Sequence, residues 1–215
     1  MQRVLERMTE EEIDLQGSGR TDAGVHAKGQ IAHFHTKAVW DAEQIKKYMN
    51  EYLPEDIAIL QIEQVDGRFH SRLNAKSKTY EYRIYKGSKP DVFERRYVWP
   101  MEEKLDVAKM REAAGHLTGT HDFMAFCGNR RMKKTTVRTI YQIEIEETEH
   151  EIRMRFTGSG FLQNMVRILT GTLVEVGRGE RTPEDMEWIL ESRDRQQAGF
   201  LMPAKGLTLM EVKYK

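Results

Sequence analysis

Apolar residues along this chain recur at two different periods, and the alternation between those periods lays out its elements. Val4, Leu5 and Met8 form a short helical stripe, followed by a strand over Ile13–Gln16 and another over Gly29–Thr36. The spacing then predicts a helix over Ala42–Leu53, opened by Asp41 as N-cap. Ile57–Val65 alternates as a half-buried strand should. Thr79–Tyr85 does the same, with Tyr80, Tyr82 and Ile84 on one face. Later segments predict a helix over Leu105–Leu117 and a hairpin of Thr139–Glu147 with Glu151–Phe156. Helices over Phe161–Val176 and Pro183–Leu190 follow, the latter with Thr182 as cap, and Leu207–Val212 closes as a strand. Strand–helix–strand groupings with hairpins imply an α+β chain of two similar halves, with a boundary near residues 68–88.

Composition narrows the class. The longest unbroken aliphatic run is Ile57–Leu60, far short of the ~20 residues of a membrane span. No apolar stretch follows the basic residues near Met1, so no secretory signal is expected. A single cysteine, Cys127, excludes an internal disulfide and any cysteine-clustered metal site. A soluble protein of the reducing cytoplasm is expected. Lys plus Arg (34) equals Asp plus Glu (34), but the charge is unevenly spread. From Arg68 to Lys89 seven cations face one acid, Glu81, and Arg130, Arg131, Lys133, Lys134 and Arg138 make a second basic cluster. Interleaved with Phe69, Tyr80, Tyr82 and Tyr85, such segments suit a surface that meets phosphates and stacks bases. They equally suit ordinary solvated strand faces.

The densest local signal is Gly17-Ser18-Gly19-Arg20-Thr21-Asp22-Ala23-Gly24-Val25-His26-Ala27, between two predicted strands. Its glycines permit tight backbone and close approach by a partner. Arg20 near Asp22 would hold the carboxylate ionised, as a nucleophile or general base requires. A turn whose shape an Arg–Asp pair fixes is the other reading, and composition leaves both open. The spacing of Gly17, Gly19 and Gly24 is not that of a dinucleotide-binding fingerprint.

Gly19 to Ala27, Gly29-Gln30 and His33-Phe34 resemble the signature of the TruA-type tRNA pseudouridine synthases. So, in order, do Leu53-Pro54-Glu55-Asp56-Ile57, Phe69-His70-Ser71-Arg72, Tyr80-Glu81-Tyr82, His121-Asp122-Phe123, Met165-Val166-Arg167 and Gly206-Leu207. The resemblance runs along essentially the whole chain. It implies an α+β fold of two ferredoxin-like (RRM-like) halves, residues 1–75 carrying the catalytic aspartate and residues 76–215, with antiparallel and mixed sheets joined around a central basic cleft. It implies isomerisation of uridine to pseudouridine at positions 38, 39 and 40 of the tRNA anticodon stem-loop, by a homodimer, without metal or cofactor. Asp22 would be the nucleophile, and Tyr80, Arg20 and Arg167 would bind substrate. Members of the family begin with a strand and a Tyr-Asp-Gly turn ahead of the position of Met1. The resemblance therefore implies a chain without the family's first strand and with an unpaired sheet edge.

The residues can be weighed beside the resemblance. A carboxylate can add to ribose C1′ or to C6 of the ring and leave again, and a flipped base needs an aromatic platform such as Tyr80. On a helical wheel Arg167 lies nearly opposite the apolar arc of Phe161–Val176, where a solvated face is the plain reading. Gly171, one turn on, is odd for a free surface and points to close approach by another backbone or by RNA. His33 and His35 share a strand face, but two ligands are too few for a metal site. Tyr82, Tyr85 and Tyr97 read as packing or rim residues. Two rivals are a non-catalytic RNA-binding module, opposed by Arg20, Asp22 and Tyr80 together, and a phosphate-binding enzyme of small molecules, opposed by the absence of a Lys-Ser/Thr nucleotide loop.

Overall fold

The stripe at the start of the chain folds as α1 (Gln2–Thr9), with Leu5 and Met8 buried and Glu10 closing it in the left-handed region at φ 58°. The computed structural model describes residues 1–129 and 131–215. They divide into two units, Met1–Arg20 with Ile31–Asn74, and Thr21–Gln30 with Ala75–Lys215. In the first unit β1 (Gln16–Gly17) pairs antiparallel with a later two-residue strand, Ala32–His33. Between them in sequence lies β2 (His26–Ala27), which belongs to the second unit; Ala32–His33 is accordingly β3. Helix α2 (Ala42–Tyr52) has the expected start. Asp41 accepts a hydrogen bond from the Gln44 backbone N–H at 2.8 Å, and the Gln44 side chain accepts one from Asp41 N–H at 3.0 Å. Leu5, Met8, Ile13, Ile45 and Met49 make the core of this unit.

The expected strand over Ile57–Val65 is not formed. Residues 57–65 carry no ladder, and Leu60 is 72% exposed. Instead Asn50 brackets one residue of the segment, donating to Ile59 O at 2.9 Å and accepting from Ile59 N–H at 2.7 Å. Ile59 and Ile62 rest on the core, a spacing of three rather than two. Alternation alone does not make a strand; backbone groups need a neighbour, and among the described residues none pairs with this segment.

The second unit is built on a mixed sheet. Its strands are β2, β4 (Ser77–Lys86), β5 (Trp99–Met101), β6 (Gly119–Asp122), β7 (Val137–Glu147), β8 (Glu151–Gly158) and β9 (Leu207–Lys213). The order across it is β2-β9-β4-β8-β7-β6, with β5 beside the end of β4. β2 runs parallel to β9, and β4 parallel to β5; the remaining pairs are antiparallel, including the expected β7–β8 hairpin. The chain is thus α+β, as its pattern implied.

Helices α3 (Val107–His116), α4 (Met165–Gly177) and α5 (Asp185–Ser192) complete the unit, and Tyr82, Ile84, Met154 and Phe156 of the sheet share a core with them. α4 is buried nearly all round, Thr170, Gly171 and Thr172 included. The two threonines satisfy their hydroxyls by donating to Val166 O and Ile168 O, one turn back. The face that the wheel left to solvent is covered by the backbone of residues 199–202. A Cβ on Gly171 would lie 1.9 Å from Phe200 O, so backbone approach explains the glycine. Among the described residues, no helix is long and apolar enough to cross a membrane.

Candidate active site

The Gly-rich segment divides at residue 20. Its first part belongs to the first unit, where Ser18 is buried and its N–H donates to Ile31 O at 2.7 Å; Arg20 is exposed. From Thr21 the segment belongs to the second unit. Val25 N–H donates to Asp22 O at 3.1 Å, closing a turn whose third residue, Gly24, sits at φ 81°. A type II turn requires positive φ at that position, which is why glycine stands there. β2 then locks onto β9, and Lys28 N–H donates to Leu209 O at 2.8 Å. A Cβ on Gly29 would come within 2.5 Å of Met210 O. Asp22 is therefore carried on a turn stapled to the last strand of the sheet.

The cation that meets Asp22 comes from the first turn of α4. Arg167 Nη1 donates to Asp22 Oδ2 at 3.0 Å. Its Nε donates to Met202 O at 2.6 Å, and Nη1 also reaches Asn164 Oδ1 at 3.3 Å. Met202 N–H returns a hydrogen bond to Arg167 O at 3.3 Å. The guanidinium is thus fixed from two sides, with 13% of its side chain exposed against 34% for Asp22. At that exposure the pair adds little to stability, but it holds the carboxylate aimed and open to a substrate.

Tyr80 lies on β4 opposite Phe156 of β8 and Leu209 of β9. The β4–β9 register shifts between Thr79 and Tyr80, the kind of bulge that re-aims a side chain beside a functional site. The ring is half-buried and stands edge-on to Phe161 at 5.3 Å and 87°. Burial, helped by the negative charge of Asp22, pushes its phenol up to about 12. Tyr80 therefore stays a neutral hydroxyl throughout the physiological range. Tyr82, two residues on, is a packing residue: its hydroxyl donates to Pro203 O at 2.7 Å and Gly206 is pressed against its ring. Tyr97 stands edge-on to His26 at 4.7 Å.

A partly exposed carboxylate, a fixed guanidinium and a neutral phenol within one unit are what detaching and recapturing a pyrimidine asks for. A family model for tRNA pseudouridine synthase matches residues 1–73 and 113–215. The chain belongs to that family. It is 46% identical over 206 residues to tRNA pseudouridine synthase A of Bacillus subtilis, covering 96% of this chain and 83% of that protein. It is 45% identical over 214 residues to tRNA pseudouridine synthase A 2 of Clostridium tetani, covering 100% of this chain and 86% of the relative.

Of the four site residues expected from the sequence, the structure brings Asp22, Tyr80 and Arg167 into one unit, with Asp22 and Arg167 in direct contact. Two groups that sequence reasoning missed hold the guanidinium, Asn164 and the Met202 carbonyl. Neither carries a local motif. His33 and His35 stand ring to ring at 5.9 Å, and His33 Nδ1 lies 2.9 Å from Ser71 Oγ. Burial and the neighbouring His70 hold His33 below the usual imidazole range. Among the described residues, no group of three or more potential ligands is placed to hold a metal ion.

The basic clusters meet different fates. Arg83 is tied to Glu151 and Glu94 at 2.6 Å each, and Lys86 to Glu147 at 3.0 Å. These cations balance the acidic stretch at residues 144–151 and are already partnered. Arg68, Arg72, Lys76, Lys89, Arg131, Lys133 and Lys134 are exposed. Arg130 lies outside the described residues.

Proposed function

We propose that the chain isomerises uridine to pseudouridine in tRNA, with Asp22 as nucleophile. The observation that carries this reading is the Asp22–Arg167 pair on a turn stapled to β9, in the same unit as the half-buried Tyr80. In the reaction the N1–C1′ bond of the nucleotide breaks, the uracil turns, a C5–C1′ bond forms, C5 loses its proton and N1 gains one. Atoms and electrons balance within one nucleotide. The family resemblance extends the proposal to positions 38, 39 and 40 of the anticodon stem-loop and to a homodimer. The test is incubation with unmodified tRNA and mapping of pseudouridine by carbodiimide treatment and primer extension. Stops at those positions support the whole reading; no modified position would refute it.

Tyr80 supplies the ring that stacks on the extruded base and a neutral hydroxyl near C5. Tyr80→Phe is expected to keep tRNA affinity and melting temperature while slowing single-turnover isomerisation. Tyr80→Leu also loses the stacking, worth ~1–3 kcal/mol per base, and binds the target less well. A Tyr80→Phe protein that melts normally and reacts at the wild-type rate removes the hydroxyl from the chemistry.

Binding is expected to be electrostatic despite the neutral total. Replacing Arg130, Arg131, Lys133 and Lys134 together by Ala is expected to weaken tRNA binding and to flatten the dependence of log affinity on log salt, by about one unit of slope per lost contact. An unchanged slope places the RNA on another surface.

A further inference from the structure

Asn164 stands at the N-terminus of α4, a position where asparagine ordinarily accepts a hydrogen bond from the helix's own N–H groups. Here its side chain makes no capping bond. Its backbone sits in the left-handed region at φ 61°, one of three non-glycine residues with positive φ among those described. Strained backbone of this kind persists where the surroundings demand it, and it collects at functional sites. The demand is visible. Asn164 Oδ1 accepts from Arg167 Nη1 at 3.3 Å, the same nitrogen that donates to Asp22. Behind it, Gly128 N–H donates to Gln163 O at 2.8 Å, and a Cβ on Gly128 would fall 2.5 Å from Asn164 Nδ2. The amide is wedged between a glycine that has no room for a methyl group and the guanidinium of the site.

We infer that Asn164 is a positioning residue: it gives up its capping bond to hold Arg167 Nη1 on Asp22, with Gly128 as its backstop. The inference rests on the reading of Asp22 and Arg167 as the reacting site. Met202 O holds Nε and so fixes the base of the guanidinium. Without Asn164, Asp22 alone among the described residues orients its outer end. A guanidinium free to swing would still neutralise charge but would no longer aim the carboxylate, and misplacement of reacting groups costs rate more than affinity.

Asn164→Gly separates the two roles of the residue, since glycine accepts φ 61° without strain and deletes only the amide. It is expected to melt at or above the wild-type temperature, to bind tRNA within about threefold of wild type, and to isomerise at least about tenfold more slowly in single turnover. Gly128→Ala pushes the amide off from behind without substituting residue 164, and is expected to lower the rate in the same way. In an Arg167→Lys background the effect of Asn164→Gly is expected to disappear, because the group it aims is gone. A purely structural asparagine would give additive losses. If wild type is active, Asp22→Asn is inert and Asn164→Gly reacts at the wild-type rate, the inference is wrong while the proposed function stands. If wild type forms no pseudouridine, the proposed function falls and the inference with it. Should Asn164→Gly melt early, the rate of Gly128→Ala decides: full activity overturns the positioning role.

Discussion

Asp22→Asn is expected to abolish pseudouridine formation while leaving the protein folded and bound to tRNA. Asparagine has the same size and still offers an oxygen to Arg167 Nη1, now 3.0 Å from Asp22 Oδ2. The Val25 N–H bond that closes the turn goes to the backbone oxygen of residue 22 and is untouched. What is lost is the negative charge that attacks in the proposed reaction. A neutral amide is a poor nucleophile, and the loss is expected to exceed about a thousandfold, some 4 kcal/mol of transition-state stabilisation. Affinity is expected to stay within about tenfold, ~1.4 kcal/mol. The melting temperature is expected to change little, because the pair is partly exposed. Carbodiimide mapping and filter binding on the same preparations separate the two effects. Residual turnover above a few per cent of wild type would remove Asp22 from the role.

How such a site is read from a sequence depends on how local its parts are. Gly24 announces itself, because a turn that needs positive φ leaves a glycine in the chain. The capping box at Asp41 and Gln44 is equally local, and the long alternation of β4 survives as a strand because β8 and β9 flank it. β2 and β5, two and three residues long, are too short to show a period at all. The alternation at residues 57–65 predicts a strand that finds no partner among the described residues. Local spacing points to Arg20, two residues away, as the cation beside Asp22, whereas the guanidinium that meets it stands 145 residues on. The wheel leaves Arg167 on a solvated face, since two of its polar partners, Asp22 and Met202 O, come from distant segments that no single-helix pattern contains. The trace those segments left in the sequence was Gly171, a residue whose cost in a helix interior has to be offset by packing.

That glycine carries the second large prediction, Gly171→Ala. By helix propensity alone the change stabilises, by about 1 kcal/mol. Packing says the opposite. The new Cβ would sit 1.9 Å from Phe200 O and 3.0 Å from Phe200 C. From the other side, Gly199 presses on α4 so closely that a Cβ there would meet Thr172 Cα at 2.7 Å, and its N–H donates to Thr172 Oγ1 at 2.9 Å. Both surfaces are backbone, so no side chain can rotate out of the way. Alanine must drive residues 199–202 off the helix, and overpacking of this severity is expected to cost at least about 3 kcal/mol. For a chain of this size that lowers the melting temperature by roughly 6–12 °C. Met202 moves with the displaced segment and takes with it the carbonyl that accepts from Arg167 Nε, so activity is expected to fall even where the protein remains folded. Gly115→Ala, near the end of α3, is the control, because nothing lies within 4 Å of its added Cβ. It is expected to gain about 0.5–1 kcal/mol, as propensity dictates. Thermal melting of the two variants side by side decides the matter: if Gly171→Ala rises with Gly115→Ala, the backbone contact that shapes the Arg167 end of the site is absent.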